Sequence, residues 1–109
     1  MSDAGGDVDA TNVTLTFDGT DPDSLPNNGP LVSGTFKPTD FDSGVDVFPN
    51  LPAGPYGLAL SVFNGISPTG TWRLYVQDDL LNDRGSLDGG WSLSITTRTC
   101  IFPPPPVTP

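Results

Sequence analysis

The side chains best suited to chemistry are concentrated in one acidic segment, QDDLLNDRGSLDGG, at residues 77–90. Its oxygen-bearing candidates are Asp78, Asp79, Asn82, Asp83 and Asp88. Clustered oxygens are the ligands that Ca²⁺ requires, about six to eight at once, although the spacing here is not that of an EF-hand and the chain has no Glu. Asp and Asn also make tight turns, because their side chains accept hydrogen bonds from nearby backbone N–H groups. The segment therefore indicates either a calcium contact or a set of turns.

The chain lacks residues that nucleophilic catalysis usually requires. There is no histidine, so a Ser-His-Asp or Cys-His arrangement cannot form. The single cysteine, Cys100, excludes multi-cysteine zinc sites and internal disulfides. The triplet Asp42-Ser43-Gly44 has the form of an aspartic-protease motif, but that chemistry needs two facing carboxylates and hence a dimer. No apolar strand precedes the triplet, so we interpret it as a turn and predict that the chain is not an enzyme.

The composition indicates one acidic domain built from strands and turns. The chain has 109 residues, with 13 acidic side chains that are all Asp and four basic ones, for a formal net charge of −9. This balance argues against binding to nucleic-acid phosphates or to anionic membranes. Gly and Pro, at 13 residues each, add to the preference for turns over helices. No apolar run is long enough to span a membrane, and we expect any export signal to lie outside this chain.

Four segments alternate apolar and polar residues with the period of a half-buried strand. They are NVTLTF (12–17), the weaker LVSGTFKP (31–38), TWRLYV (71–76) and WSLSI (91–95). One wet face is typical of antiparallel sheets, and we expect TWRLYV and WSLSI to pair. The apolar run LALSVFNG (58–65) is predicted to be buried as a short strand or a helical turn. The Pro-containing loop 39–57 is predicted to anchor to the core through Phe41, Phe48 and Tyr56.

The two tryptophans have two alternative roles. Each shares a strand face with two aliphatic residues: Trp72 with Leu74 and Val76, and Trp91 with Leu93 and Ile95. This pattern predicts that both indoles lie in the core. The alternative is that the rings are exposed and stack on sugars, as aromatic residues do in binding modules.

Residues 63–95, FNGISPTGTWRLYVQDDLLNDRGSLDGGWSLSI, resemble the C-terminal part of a P domain, also called a Homo B domain. The matching pattern is a Gly-Thr-Trp-x-Leu-x-Val-x-Asp strand, a loop ending in Asp-x-Gly-x-Leu, and a final Trp-x-Leu. The matching positions are Gly70, Thr71, Trp72, Leu74, Val76, Asp78, Asp83, Gly85, Leu87, Trp91 and Leu93. A looser resemblance to the bacterial branch of the family extends over residues 1–97, as the C-terminal two-thirds of a P domain. The proline-rich tail, residues 98–109, is expected to be a linker or terminus.

P domains accompany subtilisin-like proprotein convertases and end many secreted bacterial proteases. The resemblance implies an all-β fold, an antiparallel jelly-roll-like β-sandwich of the galactose-binding-like kind, here expected to lack its first strands. It also implies a structural Ca²⁺, with Asp78 and Asp83 at the positions of family carboxylates. No catalytic residue carries over, because the catalytic groups belong to the neighbouring domain.

The function expected from this resemblance is that of a non-catalytic P domain. It would stabilise and position a secreted subtilisin-like serine endopeptidase, or another large extracellular bacterial protein, by packing against a neighbouring domain of the same polypeptide. The expected location is extracellular or at the cell surface, with no nucleic-acid partner and no membrane insertion. The alternative function is an adhesive or carbohydrate-binding β-sandwich module of a cell-surface protein.

Overall fold

A computed structural model describes residues 4–41, 48–49, 52–77 and 84–98 of the chain. In these ranges the regular structure consists of three short strands and one 3₁₀ helix. The elements are β1 (Thr14–Phe17), β2 (Gly34–Phe36), the 3₁₀ helix (Leu60–Phe63) and β3 (Gly90–Leu93). No helix in the described part of the chain has the length and apolar character needed to cross a membrane.

The three strands form one sheet in the order β2-β1-β3, and both pairings are parallel. Residues that lie opposite one another on neighbouring strands share a face of the sheet. Two adjacent rows of side chains therefore run across the three strands, one row on each face of the sheet. They are the apolar row Phe17, Phe36 and Leu93, and the hydroxyl row Thr16, Thr35 and Ser92. The sheet has one apolar face and one polar face, as the alternation predicts.

The parallel pairing shows that the predicted antiparallel jelly-roll-like β-sandwich is wrong. The described residues form one small sheet, and no second sheet packs on it. Residues 18–33 join β1 to β2, and a connection of about a dozen residues or more can return the chain to the same end of the sheet, as parallel pairing requires. Alternation specifies the face that each side chain takes but not the direction of the neighbouring strand, so the pattern could not distinguish the two arrangements.

Aspartate side chains shape the connection from β1 to β2. The Asp18 carboxylate accepts hydrogen bonds from the Thr20 N–H at 2.9 Å and from the Thr20 hydroxyl at 2.7 Å. The Asp21 carboxylate accepts one from the Asp23 N–H at 2.9 Å. The Asp23 carbonyl in turn accepts from the Lys37 N–H at 2.9 Å, just beyond β2. These turns bring β2 alongside β1.

The core is small and lies on one face of β1. The strand predicted within residues 12–17 is confirmed, and its inward residues Val13, Leu15 and Phe17 are buried together with Leu25. Partly buried apolar side chains pack around these four: Ala4, Ala10, Leu31, Phe36, Leu60, Leu74, Leu87 and Leu93. Full burial of a Val, Leu or Phe side chain contributes roughly 1.5–3 kcal/mol. Within the described part of the chain, a core of four such residues is modest.

A buried hydroxyl ties the connection before β2 to the residues that follow it. Thr39 is buried, and its Oγ1 accepts a hydrogen bond from the Leu25 N–H at 3.0 Å. The same hydroxyl donates to the Lys37 carbonyl at 2.9 Å. A buried polar group without such partners would destabilise the fold. The two hydrogen bonds therefore make the burial of the Thr39 hydroxyl possible.

A pair of glycines leads into β3. Gly90 has φ +78°, a left-handed conformation that glycine adopts most readily, and its N–H donates to the Leu87 carbonyl at 2.8 Å. Gly89 lies directly against Thr14, since a Cβ on Gly89 would lie 2.8 Å from the Thr14 Cβ and closer still to its hydroxyl oxygen. The absence of a side chain at Gly89 is what allows β3 to approach β1.

Three further predictions about burial and secondary structure are wrong. TWRLYV is not a strand, and although Trp72 and Leu74 are half-buried, Val76 is 71% exposed. LALSVFNG contributes the 3₁₀ helix, so the helical-turn alternative is confirmed, but no residue of this helix is buried and the predicted burial is wrong. Of the predicted loop anchors, Phe41 and Tyr56 are exposed. The physical reason is common to all three: the described residues contain no second sheet against which these segments could pack.

Candidate functional site

Most of the candidate residues for chemistry lie outside the described part of the structure. These are Asp78, Asp79, Asn82, Asp83, the Asp42-Ser43-Gly44 triplet and Cys100. Calcium binding by Asp78 and Asp83 therefore stays a prediction. Among the residues that the structure does describe, no three His, Cys, Asp or Glu side chains come together in a way that could hold a metal ion.

Asp88, the remaining acid of that segment, forms part of a turn. Its carboxylate accepts a hydrogen bond from the Ser86 hydroxyl at 2.9 Å. Ser86 is itself held beside the start of the sheet, because its N–H donates to the Ala10 carbonyl at 2.8 Å. The turn interpretation is confirmed for Asp88, whose contacts position the chain for its entry into β3.

The most prominent surface feature is a set of exposed apolar side chains within residues 52–77, which we call the apolar segment. Its exposed large side chains are Tyr56, Leu58, Val62, Phe63, Ile66, Tyr75 and Val76. Val62 and Ile66 are 67% and 60% exposed, and Val76 is 71% exposed. Leu60 and Leu74 pack against the core cluster and connect the apolar segment to the sheet. Scattered single apolar residues are normal at a surface, but a concentration of this kind is characteristic of contact surfaces.

The charge distribution sets the apolar segment apart from the rest of the molecule. Residues 52–77 contain no acidic side chain and a single basic one, Arg73. Residues 4–41, by contrast, carry six aspartates and one lysine. None of the 13 aspartates therefore lies within the apolar segment, although Asp78 and Asp79 follow it directly in the sequence. The segment itself carries no acidic charge that would oppose contact with another acidic surface.

Two aromatic pairs give the apolar segment local order. The rings of Phe63 and Trp72 meet edge to face, with centroids 5.0 Å apart, and the Trp72 Nε1–H donates to the Pro68 carbonyl at 3.0 Å. The rings of Phe48 and Tyr56 meet in a similar way at 5.6 Å. Such pairs contribute about 0.5–1.5 kcal/mol beyond their area burial. The exposed side chains are thus presented by a segment with defined internal contacts.

The two tryptophans differ in their surroundings. Trp72 is half-buried, with its indole N–H satisfied, whereas Trp91 is 37% exposed on β3. Ile95, predicted to share the core face with Trp91, is 45% exposed. The core position predicted for Trp91 and Ile95 is wrong, because β3 is an edge strand and its apolar face extends beyond the small core.

The opposite face of the sheet is polar. Thr16 of β1 and Ser92 of β3 are joined by a hydrogen bond between their hydroxyl oxygens at 2.9 Å. Beyond them lies Asp18, whose pKa is lowered chiefly by the hydrogen bond from the Thr20 backbone N–H, then by that from the Thr20 hydroxyl, with a smaller contribution from the Ser94 hydroxyl. Slight desolvation acts in the opposite direction. The Asp18 side chain is therefore ionised at neutral pH, and its oxygens accept the hydrogen bonds that form the turn.

Strand periodicity alone does not predict the exposure of the apolar segment. TWRLYV and LALSVFNG look like buried elements because their apolar residues recur at regular intervals. A different signal was available, since in a chain with 13 aspartates the whole of residues 47–77 contains none. An apolar stretch that an acidic protein keeps free of acids is a candidate contact surface as well as a candidate core segment.

No protein-family model, curated protein or solved structure matches this chain.

Proposed function

We propose that the chain is a non-catalytic accessory module that packs against a neighbouring domain of the same polypeptide and stabilises and positions it. The parent protein that we propose is a secreted subtilisin-like serine endopeptidase or another large extracellular bacterial protein. The resemblance of residues 63–95 to P domains supports this choice of parent. The observation that carries the proposal is the apolar segment, with seven exposed large apolar side chains and no acid.

The energetics favour a partner for this surface. Burial of one large apolar side chain contributes roughly 1.5–3 kcal/mol relative to exposure, and the described residues include more such side chains at the surface than in the core. Soluble monomers rarely expose large contiguous apolar patches. Docking of the apolar segment against a second domain would add to the small core without any change in the sheet.

The charge distribution favours a protein surface as the partner. A surface that lies on anionic lipid usually places several Lys and Arg beside its apolar side chains, whereas the apolar segment has Arg73 alone. Nucleic-acid binding would need a basic patch, and the chain has four basic residues in total. An apolar surface without like charges fits the interior of an interface between domains.

The carbohydrate-binding alternative has less support. It requires exposed aromatic rings, and of the two tryptophans Trp91 alone is exposed. Trp72 is engaged by Phe63 and by the Pro68 carbonyl. Among the other exposed rings, Tyr56 and Phe63 already pack edge to face against neighbouring rings, and Tyr75 is one further ring. These separate rings are a weaker basis for sugar recognition than the seven apolar side chains are for docking.

The test is to introduce charge into the apolar segment within the parent polypeptide. Val62→Asp with Ile66→Asp is expected to lower the melting temperature of the parent by several degrees and to reduce its secreted yield, because both carboxylates would be buried without partners on docking. The matched control is Val8→Asp with Val32→Asp, which adds the same charge at two valines that are 49% and 51% exposed outside the apolar segment.

Hydrogen exchange at β1 would show whether the module itself remains folded in both variants. Intact protection of β1 together with an unchanged melting temperature and yield in Val62→Asp with Ile66→Asp would overturn the proposal. Equal losses in the two double variants would also overturn it, since they would show that added charge, rather than this surface, causes the effect.

A further inference from the structure

The chain contains two Asn-Gly pairs, Asn28-Gly29 and Asn64-Gly65, and both asparagines are exposed. Asn-Gly is the sequence most prone to a spontaneous reaction of the backbone with its own side chain. Glycine has no Cβ to shield its nitrogen, so the sequence alone makes the two pairs equally reactive. The structure, however, holds the two peptide units differently.

The reaction is an attack by the glycine backbone nitrogen on the side-chain amide carbon of the preceding asparagine. A bond forms between that nitrogen and Cγ, the bond from Cγ to Nδ2 breaks, and ammonia leaves with the proton from the glycine N–H. Water then opens the resulting succinimide at either carbonyl, which yields aspartate or isoaspartate. The balance is asparagine plus water giving a carboxylate residue plus ammonium, with no oxidant, metal or enzyme required.

The Asn64-Gly65 peptide unit is free to take part in this reaction. Asn64 follows the 3₁₀ helix in an extended conformation, with φ −62° and ψ 136°. Gly65 has φ +80°, and no atom lies within 4 Å of the position that its Cβ would occupy. The neighbouring N–H groups of Asn64 and Ile66 donate to backbone carbonyls, but in the described structure the Gly65 N–H donates to none. The nucleophilic nitrogen is therefore open, and the peptide unit has space to rotate toward the side chain.

The Gly29 N–H likewise donates to no backbone carbonyl in the described structure, and the position of a Cβ on Gly29 is also open. The Asn28-Gly29 peptide unit differs because it is restrained on its Asn28 side. A Cβ on Gly6 would lie 2.7 Å from both the carbonyl carbon and the carbonyl oxygen of Asn28, so the Gly6 backbone packs directly on this peptide. The N–H of Gly5 donates to the Pro26 carbonyl at 2.8 Å and holds the two segments together. Attack by the Gly29 nitrogen needs rotation of a peptide group that Gly6 blocks.

We infer that Asn64 is a site of spontaneous deamidation in the folded protein and that Asn28 is protected. The product places a carboxylate between Phe63 and Ile66, in a segment that otherwise contains no acid. Burial of that charge in an apolar interface is unfavourable, so deamidation weakens docking as the protein ages. This consequence rests on the proposed function, whereas the deamidation itself does not.

The experiment is to incubate the full chain at mildly alkaline pH and to follow both sites by chymotryptic peptide mapping with tandem mass spectrometry. The expected result is that Asn64 converts to aspartate and isoaspartate several-fold faster than Asn28 in native buffer. In guanidinium chloride the two rates become similar, because the restraint by Gly6 is lost. Asn64→Gln, which would need a larger ring, abolishes the reaction at position 64 and leaves Asn28 unaffected.

Equal rates at the two sites in native buffer, or conversion of Asn28 ahead of Asn64, would overturn the inference. A difference in rate that persists in denaturant would do so as well, since it would reflect sequence rather than structure. The effect on docking is measured separately by comparing Asn64→Asp with the control Asn28→Asp in the parent polypeptide. If rapid deamidation is found but both variants dock equally well, the deamidation site stands and the proposed function fails.

Discussion

At the scale of single residues, Gly89 determines how closely β3 approaches β1. A Cβ at this position would overlap the side chain of Thr14, and overpacking of this kind costs typically about 1–3 kcal/mol. We predict that Gly89→Ala lowers the free energy of unfolding by an amount in that range, measured by urea denaturation. Rotation of the Thr14 side chain would move its hydroxyl but not its Cβ, which would still lie 2.8 Å from the new methyl group.

Gly29 supplies the matched control for this substitution. No atom lies within 4 Å of the position of a Cβ on Gly29, so Gly29→Ala is expected to leave the free energy of unfolding nearly unchanged. Thr14→Ala in the Gly89→Ala background removes the most crowded atom and is expected to restore part of the loss. Equal stability of Gly89→Ala and Gly29→Ala would show that the close approach of β3 to β1 is absent in solution.

At the scale of elements, the turn after β1 couples stability to pH. Hydrogen bonds from Thr20 hold the pKa of Asp18 below its ordinary value of 3.8. Because the pKa is lower in the folded state than in the unfolded state, the contribution of Asp18 to stability is complete above the ordinary value and is lost as the pH falls through the folded-state pKa. We predict that Thr20→Val raises the pKa of Asp18 toward the ordinary value, measured by NMR titration of its carboxyl carbon.

The valine variant removes the hydroxyl donor and keeps the backbone N–H that is the larger cause of the shift. A partial rise in the pKa of Asp18 is therefore expected, with a residual depression. Thr69→Val, at an exposed threonine outside this connection, is the control and should leave the titration of Asp18 unchanged. An identical titration of Asp18 in both variants would mean that the hydroxyl of Thr20 does not bind the carboxylate.

The elements also show which parts of the fold were accessible from the sequence. β1 was predicted together with its inward face, because Val13, Leu15 and Phe17 alternate with threonines that favour strands. The direction of its neighbours was not predictable, since alternation is the same in parallel and antiparallel sheets. TWRLYV has the same pattern as β1 but does not become a strand, because strand formation depends on an available partner and the pattern describes one segment at a time.

At the scale of the whole molecule, the two candidate sites differ in how they could be found. The acidic segment was recognised from residue type, since oxygen ligands are visible in the sequence, and Asp88 shows that some of these residues serve turns. The apolar segment was identified from the exposure of its side chains in the structure. A periodic apolar run in a sequence predicts a core segment, and only the structure shows whether other residues cover it. The lack of acids marks the apolar segment in the sequence but fits a core segment and a contact surface equally well, and the exposure of its side chains separates the two.

The predicted calcium binding would depend on the charge of the whole acidic molecule as well as on the predicted ligands Asp78 and Asp83. A site that binds the folded state alone raises the melting temperature, and calcium at about 100 times its dissociation constant stabilises by roughly 2.7 kcal/mol. A chain with a net charge of −9 also gains from any divalent cation, through relief of self-repulsion. The stabilisation must therefore be separated into a site-specific part and a general part.

Two double variants make this separation. Asp78→Ala with Asp83→Ala removes the predicted ligands, whereas Asp7→Ala with Asp23→Ala removes the same charge at two exposed aspartates elsewhere. Both variants reduce the general effect equally. We therefore predict that calcium raises the melting temperature of Asp7→Ala with Asp23→Ala, and that it raises the melting temperature of Asp78→Ala with Asp83→Ala much less. Differential scanning calorimetry measures both shifts. Equal responses of the two variants to calcium would assign the whole effect to net charge and leave Asp78 and Asp83 with the turn role that Asp88 already has.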